Sequence, residues 1–195
     1  MNESLREALR GQARELSQAV LDRMYENPFW MERYGARGRG FADEDSLHHM
    51  RYLDEALAAG EPAVFERYAR WLRTVLVSRG MCTEHLAENF RLLASGIEAA
   101  SVAEASVAVS ILTAGADALR YTEGDAGRLQ QDEPRLLDAI RASAAGRAMR
   151  DDDRRYLVSY VIDAAATGVD THLQTFAARC PADVVAALAQ ATASH

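Results

Sequence analysis

Along most of the chain, apolar residues recur three and four positions apart, the spacing that gathers them on one face of a helix. Leu5, Leu9, Leu16, Val20 and Met24 predict a first helix over about residues 5–26, closed by Asn27 and Pro28. Residues 29–40 are aromatic, rich in Arg and punctuated by Gly, which predicts a loop. A second helix is expected from near Asp43. Asp43, Glu44 and Asp45 suit its positive end, and Leu47, Met50, Leu53 and Leu57 form its apolar stripe. Pro62 fits the first turn of a third helix carrying Phe65, Tyr68, Leu72, Val75 and Leu76, with Gly80 beyond its end. Thr83 is the expected cap of a fourth helix bearing Leu86, Phe90, Leu93 and Ile97. Ser101 and Glu104 have the spacing of a capping box. An Ala- and Val-rich helix follows to about residue 121, with small residues that permit close helix contact. Residues 122–134 read as a connector, and three more helices are expected near 134–148, 151–178 and 181–193. The fold class is therefore all-α, with about eight helices.

Composition supports this reading. The chain has 195 residues, 49% of them hydrophobic, and only four Pro. Ala, Leu, Arg and Glu, all strong helix formers, are abundant. A net charge of −7 favours solubility and opposes nucleic acid and anionic membranes, so neither is an expected partner. There is no Lys, so all 22 basic residues are Arg. Compositional bias is the ordinary explanation; a supply of planar, permanently charged groups for carboxylates is the functional one. Cys82 and Cys180 are too few and too far apart for a disulfide framework or a zinc site. With no apolar leader and no long apolar run, the expected location is the cytoplasm.

Enzymatic signatures are missing. No Gly-x-Ser-x-Gly, phosphate-binding loop, dinucleotide fingerprint or His-Glu-x-x-His pattern occurs, so no enzyme is expected. Glu44 and His48 are four apart and could share a metal, but the Glu-x-x-His motifs of a di-iron bundle are absent. Cys82, close to Glu84 and His85 near a helix start, reads first as an ordinary small residue and second as a thiol of lowered pKa. The densest candidate cluster runs through Phe29, Trp30, Arg33, Tyr34, Arg37, Arg39 and Phe41 to Asp45, His48, His49 and Tyr52, with Tyr68, Arg70, Trp71 and His85 after it. Aromatic rings with Arg would suit a large flat ligand bearing carboxylates. Taken helix by helix, the same rings read as core.

Over residues 5–121 the sequence resembles the phycobiliproteins, the bilin-carrying members of the globin superfamily. ELSQAVLDRMYENPFW (residues 15–30) looks like that family's helix B and following turn. GRGFADEDSLHHMRYLDEALAAG (38–60) looks like its chromophore-bearing helix E. Residues 62–79, 81–99 and 101–121 look like helices F′/F, G and H. At the family's covalent bilin Cys stands Ala42, which removes the thioether anchor. At its propionate-pairing Arg stands Glu44, and His48 and His49 replace its paired Tyr. The Asp that hydrogen-bonds the pyrrole nitrogens is matched by Asp45, and Arg51 is matched too. These departures fit the non-photosynthetic bacterial relatives, bilin-biosynthesis-associated globins among them.

The resemblance implies a globin-like, phycobiliprotein-type core at residues 1–121 and a C-terminal helical extension at 122–195. The family's helix A has no counterpart ahead of residue 5. A C-terminal helix, residues 151–178, is expected in its place, with a dimerisation extension as the alternative. The implied function is non-covalent binding or sensing of a linear tetrapyrrole, a bilin, by a homodimer. Asp45 would hold the pyrroles and Arg37, Arg39 and Arg51 the propionates. Tyr52, Trp71 and His85 would line the pocket with His48 or His49. The alternatives are a corrinoid (cobalamin) or haem, ligated by His48 or His49 because residues 61–80 contain no His, and a cofactor-free regulatory domain.

Overall fold

A computed structural model describes residues 2–193, which form ten helices and, among the described residues, no strand. They are α1 (Glu3–Met24), α2 (Pro28–Ala59), α3 (Pro62–Ser78), α4 (Thr83–Ala99), α5 (Ala105–Ala118), α6 (Gly124–Gln131), α7 (Glu133–Ala142), α8 (Asp151–Thr167), α9 (Thr171–Ala177) and α10 (Ala182–Ala193). None of these helices is long and apolar enough to cross a membrane. The chain divides into two compact units. Among the described residues the first comprises residues 2–72 and 86–119, the second residues 73–85 and 120–193. Residues 73–85 thus group with the C-terminal helices.

In the first unit α1 buries Leu5, Leu9, Leu16, Val20, Leu21 and Met24, the stripe expected from the spacing. Its register on α2 is fixed by charge as well as by packing. Arg6 gives two hydrogen bonds to the Asp54 carboxylate, of 2.9 and 3.2 Å, and Arg10 a third of 3.1 Å. Such partly exposed pairs add little to stability, so they orient helices that the apolar stripe holds together.

The expected loop at residues 29–40 is helical. Asn27 caps α2 by accepting the Phe29 N–H at 3.0 Å, and Pro28 occupies the first turn, where its missing donor costs nothing. The helix is interrupted at one residue only, Gly35, with φ 61° and ψ −168°. The Gly residues that suggested a loop are confined to this break and the turns after it. The aromatic residues before it pack together: Trp30 lies 5.6 Å from Phe29, 5.5 Å from Tyr34 and 6.1 Å from Tyr25 between ring centroids.

The capping box at Ser101 and Glu104 does not form. Both residues have positive φ, and α5 starts after Glu104 without a side-chain cap. The small residues of α5 do admit a close contact. Gly115 sits so tightly against the fully buried Phe65 that a Cβ there would overlap the ring.

The second unit is built around α8. Tyr156, Leu157, Val158, Tyr160 and Ile162 are all buried, so the helix is enclosed on several sides, against α6, α7 and α9. The expected connector at 122–134 contains α6. The expected helix at 151–178 is two helices, because Gly168 adopts φ 70° and closes α8 in a left-handed cap. The expected helix at 134–148 stops at Ala142. Beyond it, the Arg154 side chain reaches back to the carbonyls of Gly146 and Met149 at 2.6 and 2.7 Å.

Gly115→Ala should destabilise the protein although Ala is the better helix former by about 1 kcal/mol, because overpacking costs about 1–3 kcal/mol. Chemical denaturation checks this, and adding Phe65→Leu should recover part of the loss. A Gly115→Ala variant at least as stable as the parent would show that the contact is slack.

Candidate functional site

Asp45, His48, His49 and Tyr52 stand on α2 at positions i, i+3, i+4 and i+7, which makes them neighbours on one side of the helix. Beside them α3 brings Tyr68 and Trp71, three apart. His49 is buried, its Nδ1 lies 2.7 Å from the Tyr68 hydroxyl, and Phe90 meets its ring edge-on at 5.3 Å. Burial, with a smaller push from His48, lowers its pKa to about 3, so the imidazole is neutral. Burial, and then the Asp45 charge, push the Tyr68 pKa up. Tyr68 therefore keeps its proton, and its hydroxyl shares one hydrogen bond with His49 Nδ1 whose donor is set by the imidazole tautomer. The Tyr52 ring stacks on Tyr68 at 3.9 Å and 14°, and Trp71 continues the row at 6.2 Å with 58% of its surface exposed. Asp45 and His48 are exposed on the same side.

The expected Arg residues do not converge on this row. Arg39 pairs with Asp22 and covers the Tyr25 ring at 5.0 Å. Arg37 lies 5.5 Å from the centre of Phe41, and Arg51 pairs along its own helix with Glu55 at 3.3 Å. His85 is buried in the second unit, edge-on to Tyr156 at 4.4 Å and to Tyr160 at 5.9 Å. Its Nδ1 accepts the Cys82 N–H at 3.3 Å. Cys82 is no activated thiol: burial, and then the Asp163 charge, raise its pKa well above the ordinary value.

The second unit holds a polar centre that the sequence reading missed. Asp163 of α8 is 3% exposed. Its Oδ2 accepts the Thr83 N–H at 2.7 Å, and its Oδ1 accepts the Thr83 hydroxyl at 2.5 Å and the Tyr121 hydroxyl at 2.9 Å. One turn away Ser159 Oγ accepts the Glu84 N–H at 2.9 Å. The start of α4 is therefore capped by α8, and Thr83 is the first helical residue instead of the expected cap. Burial raises the Asp163 pKa; the hydrogen bonds from Thr83 and Tyr121 and the charge of Arg73 act against it. The Arg73 guanidinium carbon stands 4.0 Å from the centre of the Tyr121 ring. A cavity of about 430 Å3 opens beside them, bounded by Arg73, Val77, Tyr121, Tyr160, Asp163 and Leu173 among others. The available signal was one carboxylate inside an apolar run, YLVSYVIDAAA. Among the described residues no three His, Cys, Asp or Glu side chains gather as metal ligands.

No family model, no curated protein and no solved structure matches the chain.

Two outcomes follow. The His49 pKa is about 3 in the fold against about 6.5 in the unfolded chain, so the unfolded state binds the extra proton between these values. Stability from this residue is complete above pH 6.5 and falls as pH drops toward 3. In His49→Gln, denaturant titrations between pH 6.5 and 4 should lose a slope of about 1.4 kcal/mol per pH unit; an unchanged slope would exclude the buried neutral imidazole. Asp163→Ala strands the Thr83 N–H and two hydroxyls, a loss of about 3 kcal/mol, or roughly 6–12 °C in Tm. A change under 2 °C by calorimetry, on the same roughly 2–4 °C per kcal/mol scale, would show that water replaces the carboxylate.

Proposed function

We propose that this chain is a non-enzymatic binding protein whose first unit takes a linear tetrapyrrole, non-covalently, against the Tyr52–Tyr68–Trp71 row. The observation that carries this reading is the exposed Trp71 at the end of a stacked aromatic row with the carboxylate of Asp45 alongside. Flat conjugated ligands bind to such rings through their faces. A carboxylate beside several pyrrole N–H groups would accept charge-assisted hydrogen bonds and favour the protonated pigment. His48 is the second polar group on that side. His49 serves the core by holding Tyr68, and it supports the site from behind.

The globin-type core and the pairing of two copies belong to this proposal. Arg37, Arg39 and Arg51 stay the candidates for the propionates, and each would leave its present partner, Phe41, Asp22 or Glu55, to reach them. A corrinoid or haem would need an imidazole ligand, and His48 is the exposed one.

The full chain should retain biliverdin through gel filtration with a red-shifted, sharpened visible band. Asp45→Asn should shift that band, and Trp71→Ala should weaken binding by about tenfold, the upper end of what one aromatic face contributes. Separate loadings with haem and cobalamin decide the alternatives: retention of either alone, or of no pigment, overturns the bilin reading.

A further inference from the structure

We propose that the second unit carries its own ligand site, the cavity beside Arg73 and Tyr121, and that its ligand is a small apolar molecule bearing one carboxylate. The volume, about 430 Å3, lies within the range of about 300–1,000 Å3 typical of small-molecule sites. Most of the wall is apolar: Val77 and Met81 on one side, Ala164, Val169 and Leu173 on the other. Arg73, Asp163 and the His172 ring reach it, and the two charged groups are not equivalent. The Asp163 oxygens are engaged by Thr83 and Tyr121, which commits that carboxylate to the fold and leaves it poorly suited to a cationic ligand. Arg73 lies over the Tyr121 ring, and its charge also acts on Asp163. A planar guanidinium resting on a ring can turn its N–H edge to a carboxylate in the two-pronged geometry that Lys cannot offer. An anionic head at Arg73 with an apolar body toward Leu173 uses both parts of the wall.

The test is calorimetric titration of the full chain with 2-naphthoate and with octanoate, each against its neutral amide. Saturable binding of at least one acid is expected. The matching amide and the Arg73→Met variant should each weaken it at least about tenfold, a loss of about 1.4 kcal/mol. Ala164→Trp fills the cavity and should abolish binding; if that variant loses helicity by circular dichroism, Thr167→Phe at the cavity edge replaces it. Trp71 is not among the residues that line the cavity, so Trp71→Ala should leave affinity within about twofold, which separates this site from the tetrapyrrole row. No heat with either acid at millimolar concentration overturns the site. Equal binding of acid and amide overturns the assignment of the head group, and loss of binding only in Trp71→Ala moves the ligand to the first unit.

Discussion

A helix leaves its first few backbone N–H groups without partners, and a buried helix start must find them acceptors from outside itself. The start of α4 meets this constraint through two side chains one turn apart on α8. Asp163 takes the Thr83 N–H, and Ser159 takes the Glu84 N–H. The same carboxylate gathers the hydroxyls of Thr83 and Tyr121, and the Tyr121 ring in turn supports Arg73. Burying a carboxylate is costly, and these donors offset that cost. The wall of the cavity thus exists because a capping problem was solved with a charged group. The His85 ring, wedged between Tyr156 and Tyr160, and the Tyr160 hydroxyl on the Gly80 carbonyl at 2.9 Å tie the turn before α4 to the same helix.

The first unit uses a different device. Its buried polar group is a neutral imidazole, and neutrality is what lets His49 sit among Phe90 and Tyr68. One of its two ring nitrogens is paired with Tyr68, whereas an imidazolium there would need a counter-charge. This arrangement also frees the outer edge of the row. With His49 turned inward, Asp45, His48 and Trp71 remain on the side open to solvent.

What was legible in the sequence was whatever repeats. The stripes of α1, of the second half of α2, and of α3 and α4 could be read because each apolar position is reinforced by the next. What was not legible depended on single residues acting at a distance. Gly35 confines a break to one position where a run of Gly, Arg and aromatic residues suggested a long loop. Ser101 and Glu104 matched a capping pattern in spacing, but their positive φ prevents it. Asp163 gave only the hint of one acid in an apolar stretch, and its partners lie 42 and 80 positions away. The candidate residues followed the same rule. Those at helical spacing, Asp45, His48 and Tyr52, share a side of α2 with His49 turned inward beside them, whereas Arg37, Arg39 and Arg51 each found a different partner.

The two tryptophans stand in opposite surroundings: Trp30 is 4% exposed within an aromatic cluster, and Trp71 is 58% exposed at the end of another. Nature has thereby equipped the chain with two optical probes of distinct meaning. Emission from Trp30 belongs to the blue part of the spectrum and reports whether the helices around it are assembled. Emission from Trp71 should lie to the red and be the component open to a dissolved quencher such as iodide. Assembly of the core and the state of the α3 surface can therefore be followed separately in the unlabelled protein.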